Sequence, residues 1–204
     1  MTKNITRRAF MLAAGAAAAA AIPAVGAKEA QKRTWPDQPD VPTDFQAERC
    51  FVELAEKGEG VVFEGPKDGP VVRLAFDTQC PWCKWQFEQL KPFLGRATFI
   101  WHPVAVLNPW SEPQGAAILA AQDPKAKFLE HEAHFEDKDF RGLDVRGKEM
   151  PWEKRVKVWD NSKAFRRACG ISVPFGVVRT ADGKYLPLKQ STTAEFAVLT
   201  GLKA

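Results

Sequence analysis

The sequence is poor in the groups that metal and haem sites need. Its 204 residues include four cysteines and three histidines. Cys80 and Cys83 form one close pair, while Cys50 and Cys169 stand alone. A structural zinc site asks for a second pair, or a Cys/His partner at short spacing, and neither follows. Covalent haem needs a histidine directly after the second cysteine, where Lys84 stands. His131 and His134 lie three apart on one predicted helix, a metal-compatible spacing, but no third ligand accompanies them and they read as surface histidines. No cofactor is expected. A surplus of one charge is also missing. The formal net charge is +4, but the first 27 residues hold Lys3, Arg7 and Arg8 and no acid, leaving 26 basic against 25 acidic groups beyond them. That balance gives no reason to expect a nucleic-acid partner. Long apolar runs are limited to residues 10–22, mostly alanine and too short and mild for a convincing membrane span.

What the chain does contain centres on Asp77-Thr78-Gln79-Cys80-Pro81-Trp82-Cys83-Lys84. An apolar run over 71–76 precedes it and reads as a strand buried on both faces. A helical run over 85–94 follows, with Cys83, Phe87, Leu90 and Leu94 on one stripe. A Cys-x-x-Cys at a strand-to-helix junction puts its first sulfur over unpaired helix N–H groups and the positive end of the helix dipole. Cys80 is therefore the expected nucleophilic thiolate, facing solvent, and Cys83 the shielded partner within disulfide reach. Lys84 would deepen the effect if its ammonium turned toward the sulfur. The pair can cycle between dithiol and disulfide. An inert disulfide is the bland alternative, but closing four residues removes little chain entropy. Trp82, between the cysteines, is expected at an exposed rim.

Around this stretch the chain reads in order. Residues 1–27, with Arg7-Arg8, a mild apolar run, Pro23 and small residues up to Ala27, resemble a twin-arginine export signal; a retained anchor helix is the alternative. Residues 28–44 are a proline-rich linker. A helix over 45–57, capped by Asp44, buries Phe51, Leu54 and Ala55. Strands are expected at 61–63, 71–76 and 97–101, with Pro92 kinking the intervening helix and Gly95 stopping it. Residues 103–170 form an all-helical insertion, with helices from 115 to 122, from Pro124, and from Pro151, the last renewed by a cap at Asp160-Asn161-Ser162. The charges at 125–138 read as a solvated face. A strand over 174–179, an Asp182-Gly183 turn, a strand over 185–188 and a helix over 193–202 close the domain, 45–204.

The pair Cys80/Cys83, Pro92 in the redox helix, the Ala116-Ala117-Ile118-Leu119-Ala120 helix and Asp160-Asn161 leading to Gly170 and Pro174 resemble one known family. Residues 45–204 are similar to the catalytic domain of thioredoxin-fold periplasmic disulfide isomerases of the DsbC/DsbG type. The resemblance implies an α/β, thioredoxin-like fold. It assigns Cys80 as attacking and Cys83 as resolving cysteine, and Pro174 as a cis-proline facing the pair. With Val173, Pro81 and Trp82, Pro174 would bind substrate backbone. The family's N-terminal dimerisation domain has no counterpart in 28–44, so a monomer is expected. Val173 stands where those isomerases carry Thr, closer to DsbA-type oxidases, and Gly170 lies one residue nearer Pro174 than the family pattern.

The function expected is thus an exported, periplasmic thiol–disulfide oxidoreductase, isomerase or reductase. It would act on protein substrates with cysteines and exchange electrons with a membrane redox partner. A DsbA-like dithiol oxidase, a protein holding Cu(I) or another soft metal through Cys80, Cys83 and a nearby His, and an adaptor using the fold alone are the alternatives. An even cysteine count in an exported chain favours a structural Cys50–Cys169 disulfide, against two buried free thiols.

Overall fold

Two strands fix the position of everything else. In a computed structural model that describes residues 40–168 and 172–203, β2 (Val71–Asp77) and β3 (Thr98–Val104) lie parallel, in register from Val71↔Thr98 to Asp77↔Val104. Both are apolar-rich and run to the same edge of the sheet, so Asp77 and Val104 end side by side. β1 (Val61–Phe63) adds antiparallel to β3, β4 (Phe175–Arg179) to β2, and β5 (Tyr185–Leu188) to β4. The order is β1-β3-β2-β4-β5. Gly176 lets β4 approach β2, since a Cβ there would collide with the Arg73 carbonyl.

Side-chain alternation gives the sheet two covered faces. On one, Phe76 and Trp101 meet Phe87 of α2 (Pro81–Leu90) and Phe128 of α4 (Pro124–Ala133), with ring centroids 5.0–5.8 Å apart. Phe196 of α6 (Thr193–Thr200) extends that layer onto Phe93 and Phe99. The edge-on pairs among these add roughly 0.5–1.5 kcal/mol each to plain burial. On the other face lie α1 (Ala47–Lys57) and α5 (Trp152–Ala168), the latter packed against α3 (Ser111–Ala120) through Ala116, Leu119 and Val158. The α/β, thioredoxin-like architecture is the one expected.

Several local expectations need correction. α1 starts at Ala47 without a side-chain cap, and Asp44 lies in a preceding turn. Its inner face is Cys50, Phe51 and Leu54, with Ala55 outside. α2 begins at Pro81, because proline's fixed φ suits the first helical position. It ends at Leu90, where Pro92 sits in a 3-10 turn, Lys91–Phe93, so the proline terminates the helix rather than kinking it. β3 extends to Val104, and α3 starts at Ser111, four residues early. α5 is one 17-residue helix running through Asp160-Asn161-Ser162. Asn161 is buried there and serves the sheet: its side chain bonds the Glu59 amide and carbonyl and the Pro103 carbonyl at 2.8–2.9 Å. α6 stops at Thr200, held at its start by a reciprocal Thr192/Glu195 cap. The expected signal segment and most of the linker fall in residues 1–39, outside the described residues.

Candidate active site

The redox stretch begins where β2 runs out. Asp77 is buried, and its carboxylate accepts four hydrogen bonds. Oδ1 takes the Gln79 amide at 2.9 Å and the Ser111 hydroxyl at 2.7 Å; Oδ2 takes the amides of Val106 and Leu107 at 2.9 and 3.0 Å. Burial pushes this carboxyl up and those donors oppose the shift. One side chain thus joins the end of β2 to the loop after β3 and to the start of α3. Cys80 follows in extended conformation as the residue before α2, and its carbonyl receives the first helical amides, from Cys83 and Lys84.

Both cysteines are free thiols. Their environments differ in kind. A hydrogen bond from the Cys83 thiol, helped by the Cys83 and Trp82 amides at the helix start, lowers the Cys80 pKa against burial and the Asp77 charge. Burial first, then the Cys80 sulfur, push Cys83 well above the ordinary thiol value, although the Asp77 amide donates to its sulfur at 3.4 Å. The two are shifted in opposite directions. The expected exposure of Cys80 is not found: it is 5% accessible, against 3% for Cys83. The cause is the segment before β4. Cys80 Sγ lies 3.6 Å from the Val173 carbonyl oxygen, and the Val173–Pro174 peptide bond is cis. Pro174 is buried, and Pro81 and Trp82 are half-buried. Trp82 packs edge-on against Trp85 at 5.5 Å instead of standing free at the rim.

The helical insertion reaches into the same loop. Gln79 Nε2 donates to Gln114 Oε1 at 2.6 Å, and the Asn108 amide donates to Gln79 Oε1 at 3.3 Å. Arg141 donates to the Gln79 carbonyl at 3.0 Å, while its own carbonyl accepts from Gln114 at 2.7 Å. His131, read as a surface residue, is fully buried; its Nε2 is 2.9 Å from the Thr78 carbonyl, and burial lowers its pKa to about 4. Gly142, at φ +73°, packs on that ring where no Cβ would fit. His134 is exposed and pairs with Asp137. Lys84 turns away from the sulfurs and donates to the Glu132 carbonyl at 2.7 Å. Glu132, expected on a solvated face, is 6% accessible; burial raises its pKa to about 7, with Lys84 Nζ 3.9 Å from an otherwise unpartnered Oε2. Among the described residues no cluster of three or more Cys, His, Asp or Glu is arranged to hold a metal. Cys50 is buried and disulfide-bonded; Cys169 lies outside the described residues.

Sequence reasoning missed Asp77, Gln79, Gln114, Glu132 and Arg141. Asp77 left a signal, a lone acid closing a buried strand; the other four sit in polar surroundings and left none.

No protein-family model matches the chain. Thiol:disulfide interchange protein DsbG of Escherichia coli K12 is 36% identical over 75 residues, 35% of this chain and 30% of that protein. DsbG of Pseudomonas aeruginosa is 34% identical over 74 residues, covering 29% of its length. The alignment thus spans about a third of either curated relative. The catalytic domain of Proteus mirabilis ScsC superposes with a TM-score of 0.55 at 16% identity, over 73% of this chain and 91% of that one. The chain is thus similar to DsbG over part of its length, and it shares its thioredoxin-like fold with these solved structures. Helicobacter pylori DsbG gives 0.51 at 19% identity over 65% of this chain and 60% of that one. Pseudomonas aeruginosa DsbA2 gives 0.52 at 13% over 71% and 96%, so the fold is common to relatives bearing different names.

Two predictions follow from this thioredoxin-like site. Alkylation rate against pH, on single-cysteine variants, should show Cys80 ionising below the free-thiol value of about 8.5 and Cys83 above it; faster labelling of Cys83 at neutral pH would reverse the assignment. Glu132 has a folded-state pKa above its ordinary 4.5, so the folded protein holds that proton more tightly. The associated stability is complete below about pH 4.5 and is lost as pH rises through about 7. Glu132→Gln removes this loss, and urea unfolding should show the variant gaining up to about 3 kcal/mol over the parent between pH 4.5 and pH 8. An unchanged difference between the two proteins would contradict it.

Proposed function

We propose that this chain is an exported thiol–disulfide oxidoreductase that works on protein thiols and disulfides in the periplasm, as an isomerase or reductase. The observation that carries the reading is the placement of two adjacent free thiols at the start of α2, with Cys80 at the helix N-terminus against the Val173–Pro174 cis peptide and Cys83 buried one turn inside. The Cys80 thiolate attacks a client disulfide: a Cys80–client S–S bond forms, the client S–S bond breaks, and the other client sulfur leaves as a thiolate, which takes a proton if the client is to be reduced. In isomerisation that thiolate instead attacks another client disulfide, and the client thiolate so displaced attacks the client sulfur bonded to Cys80, releasing the Cys80 thiolate. In reduction Cys83, once deprotonated, attacks Cys80 Sγ, releasing the second client thiol and leaving Cys80–Cys83 as the disulfide. The pair has then given up two electrons, which a membrane redox partner restores. Val173 and Pro174, against Cys80, would align client backbone.

Donors at the start of α2 lower the Cys80 pKa, but burial and the Asp77 charge hold that shift back, which favours isomerase or reductase over dithiol oxidase. A strong oxidant needs a strongly stabilised reduced form. Equilibration with glutathione should accordingly give a reduction potential well below the roughly −120 mV of a strong dithiol oxidase; a value at or above it would select the oxidase. The soft-metal alternative needs a histidine beside the sulfurs, and His131, close to the redox loop, has both ring nitrogens engaged, by Thr78 and Leu143. For the structural bridge, we propose that Cys50 bonds Cys169, the remaining cysteine once Cys80 and Cys83 are free; closing so long a loop stabilises by roughly 2–5 kcal/mol.

One mapping experiment addresses both points. Cys80→Ser should abolish exchange, while Cys83→Ser should accumulate mixed disulfides through Cys80. Non-reducing peptide mapping of that variant should also yield a 50–169 link. Clients captured through Cys83 in Cys80→Ser, or a linkage of Cys50 to another residue, would sink the corresponding assignment.

A further inference from the structure

We propose that the loop carrying Leu107 and Trp110, backed by Phe140, is a second client-binding element: it takes an apolar side chain lying a few residues from the client's reacting cysteine. The inference rests on the reading of Cys80 as the residue that forms the mixed disulfide.

Large apolar side chains are exposed at several places on the described surface, but Leu107 and Trp110, 52% and 41% accessible, stand on the segment bonded directly to the redox loop. The Leu107 amide donates to Asp77 Oδ2 at 3.0 Å, and Asn108 Nδ2 to Gln79 Oε1 at 3.3 Å. Gln79 is the immediate neighbour of Cys80. Cys80 Sγ meets the Val173 carbonyl at 3.6 Å. The Val173 carbonyl thus lies on the reactive sulfur itself, and the 107–110 shelf is hydrogen-bonded to the residue that precedes Cys80 in the chain.

The shelf is built in advance of any ligand. The Asn108 side chain accepts from the Trp110 amide at 2.8 Å, and the Asn108 amide donates to the Ser111 hydroxyl at 3.3 Å. The backbone is thus fixed while the two side chains stay out in solvent. Trp110 finds one ring, Phe140, edge-on at 5.1 Å, and the Arg146 guanidinium lies 4.8 Å over the far ring. Holding apolar groups rigid before binding removes an ordering cost from association. Covalent tethering selects the occupant. A client bonded to Cys80 must pass its chain over the surface around the sulfur, and an extended chain advances roughly 3.3–3.6 Å per residue. The side chains nearest the client cysteine are those brought to the shelf, and an aliphatic or aromatic one gains contact that a polar one does not.

The test uses the full chain and two peptides, each with a single cysteine in mixed disulfide with glutathione. One carries Leu at the second and third residues on both sides of the cysteine, the other Ser. The reduced protein should react with the Leu peptide at least about tenfold faster, the gain expected from partial burial of one or two apolar side chains. The difference should lie in the half-saturating concentration, not the limiting rate. In the double variant Leu107→Gln/Trp110→Ala this preference should fall toward unity, and Trp110→Phe should keep most of it. Equal rates on the two peptides with the parent protein would overturn the shelf, as would a preference that survives in the double variant. Equal slowing on both peptides, with a displaced Cys80 titration, would make the loop a mere support for the redox stretch and overturn it too. Failure of the parent to reduce either peptide would overturn the reading of Cys80 itself, and this inference with it.

Discussion

The Asp77 carboxylate is where the architecture converges. β2 and β3 are parallel, so their ends reach one edge together, but nothing in a parallel pair holds the chains that leave it. Asp77 does so by accepting from the residue-79 amide of its own loop, two amides after β3, and the Ser111 hydroxyl at the head of α3. A buried carboxylate is tolerable only with its acceptor sites filled. Four donors meet that condition, and the requirement runs both ways: removing the carboxylate would leave amides unpaired on two loops. The geometry of the redox stretch, of the 106–110 loop and of the first turn of α3 is therefore one geometry.

That coupling explains why the thiols can be so close to the core and still differ. The start of α2 supplies amides to the Cys80 sulfur, and Cys83 adds its own thiol. Cys83, one turn inside, has lost water without gaining comparable donors. Accessibility does not separate them, since both are buried. What separates them is the direction in which hydrogen-bond donors point, which depends on where α2 starts. The start is fixed by Pro81, whose missing amide is no loss at the first helical position.

Much of this was legible in the chain. Period-two and continuous apolar runs gave the five strands to within a few residues, and the spacing of Cys83, Phe87 and Leu90 gave the buried side of α2. Proline was harder to read: Pro81 and Pro92 bound α2 at its two ends, where the apolar stripe alone suggested a helix four residues later. The insertion was read least well. Its polar residues look alike in sequence, yet His131 and Glu132 are buried while their neighbours Glu130 and His134 are in water. A helix face turned toward another polar loop shows no apolar periodicity. Its signature is a set of long-range hydrogen bonds, such as His131 to Thr78, 53 positions apart in the chain. Local pattern does not carry that information.

The places where local rules failed are not scattered. A buried histidine held neutral by desolvation, a carboxyl raised to about 7 with an unpartnered oxygen, a buried aspartate and a thiol hidden where exposure was expected all touch residues 77–84 or their immediate partners. Elsewhere the departures are shifted helix ends, an α5 that runs unbroken through a buried Asn161, and an outward-facing Ala55. Buried polar groups cost stability unless their partners are complete, and a chain under selection for stability alone would replace them with apolar side chains. Their concentration around one dithiol is what a site maintained for its chemistry looks like. It also sets a physical condition on the proposed chemistry: Cys80 is nearly buried with the Val173 carbonyl 3.6 Å from its sulfur, so in the proposed exchange the fit of a client chain beside Cys80 would count as much as the ionisation of the thiol.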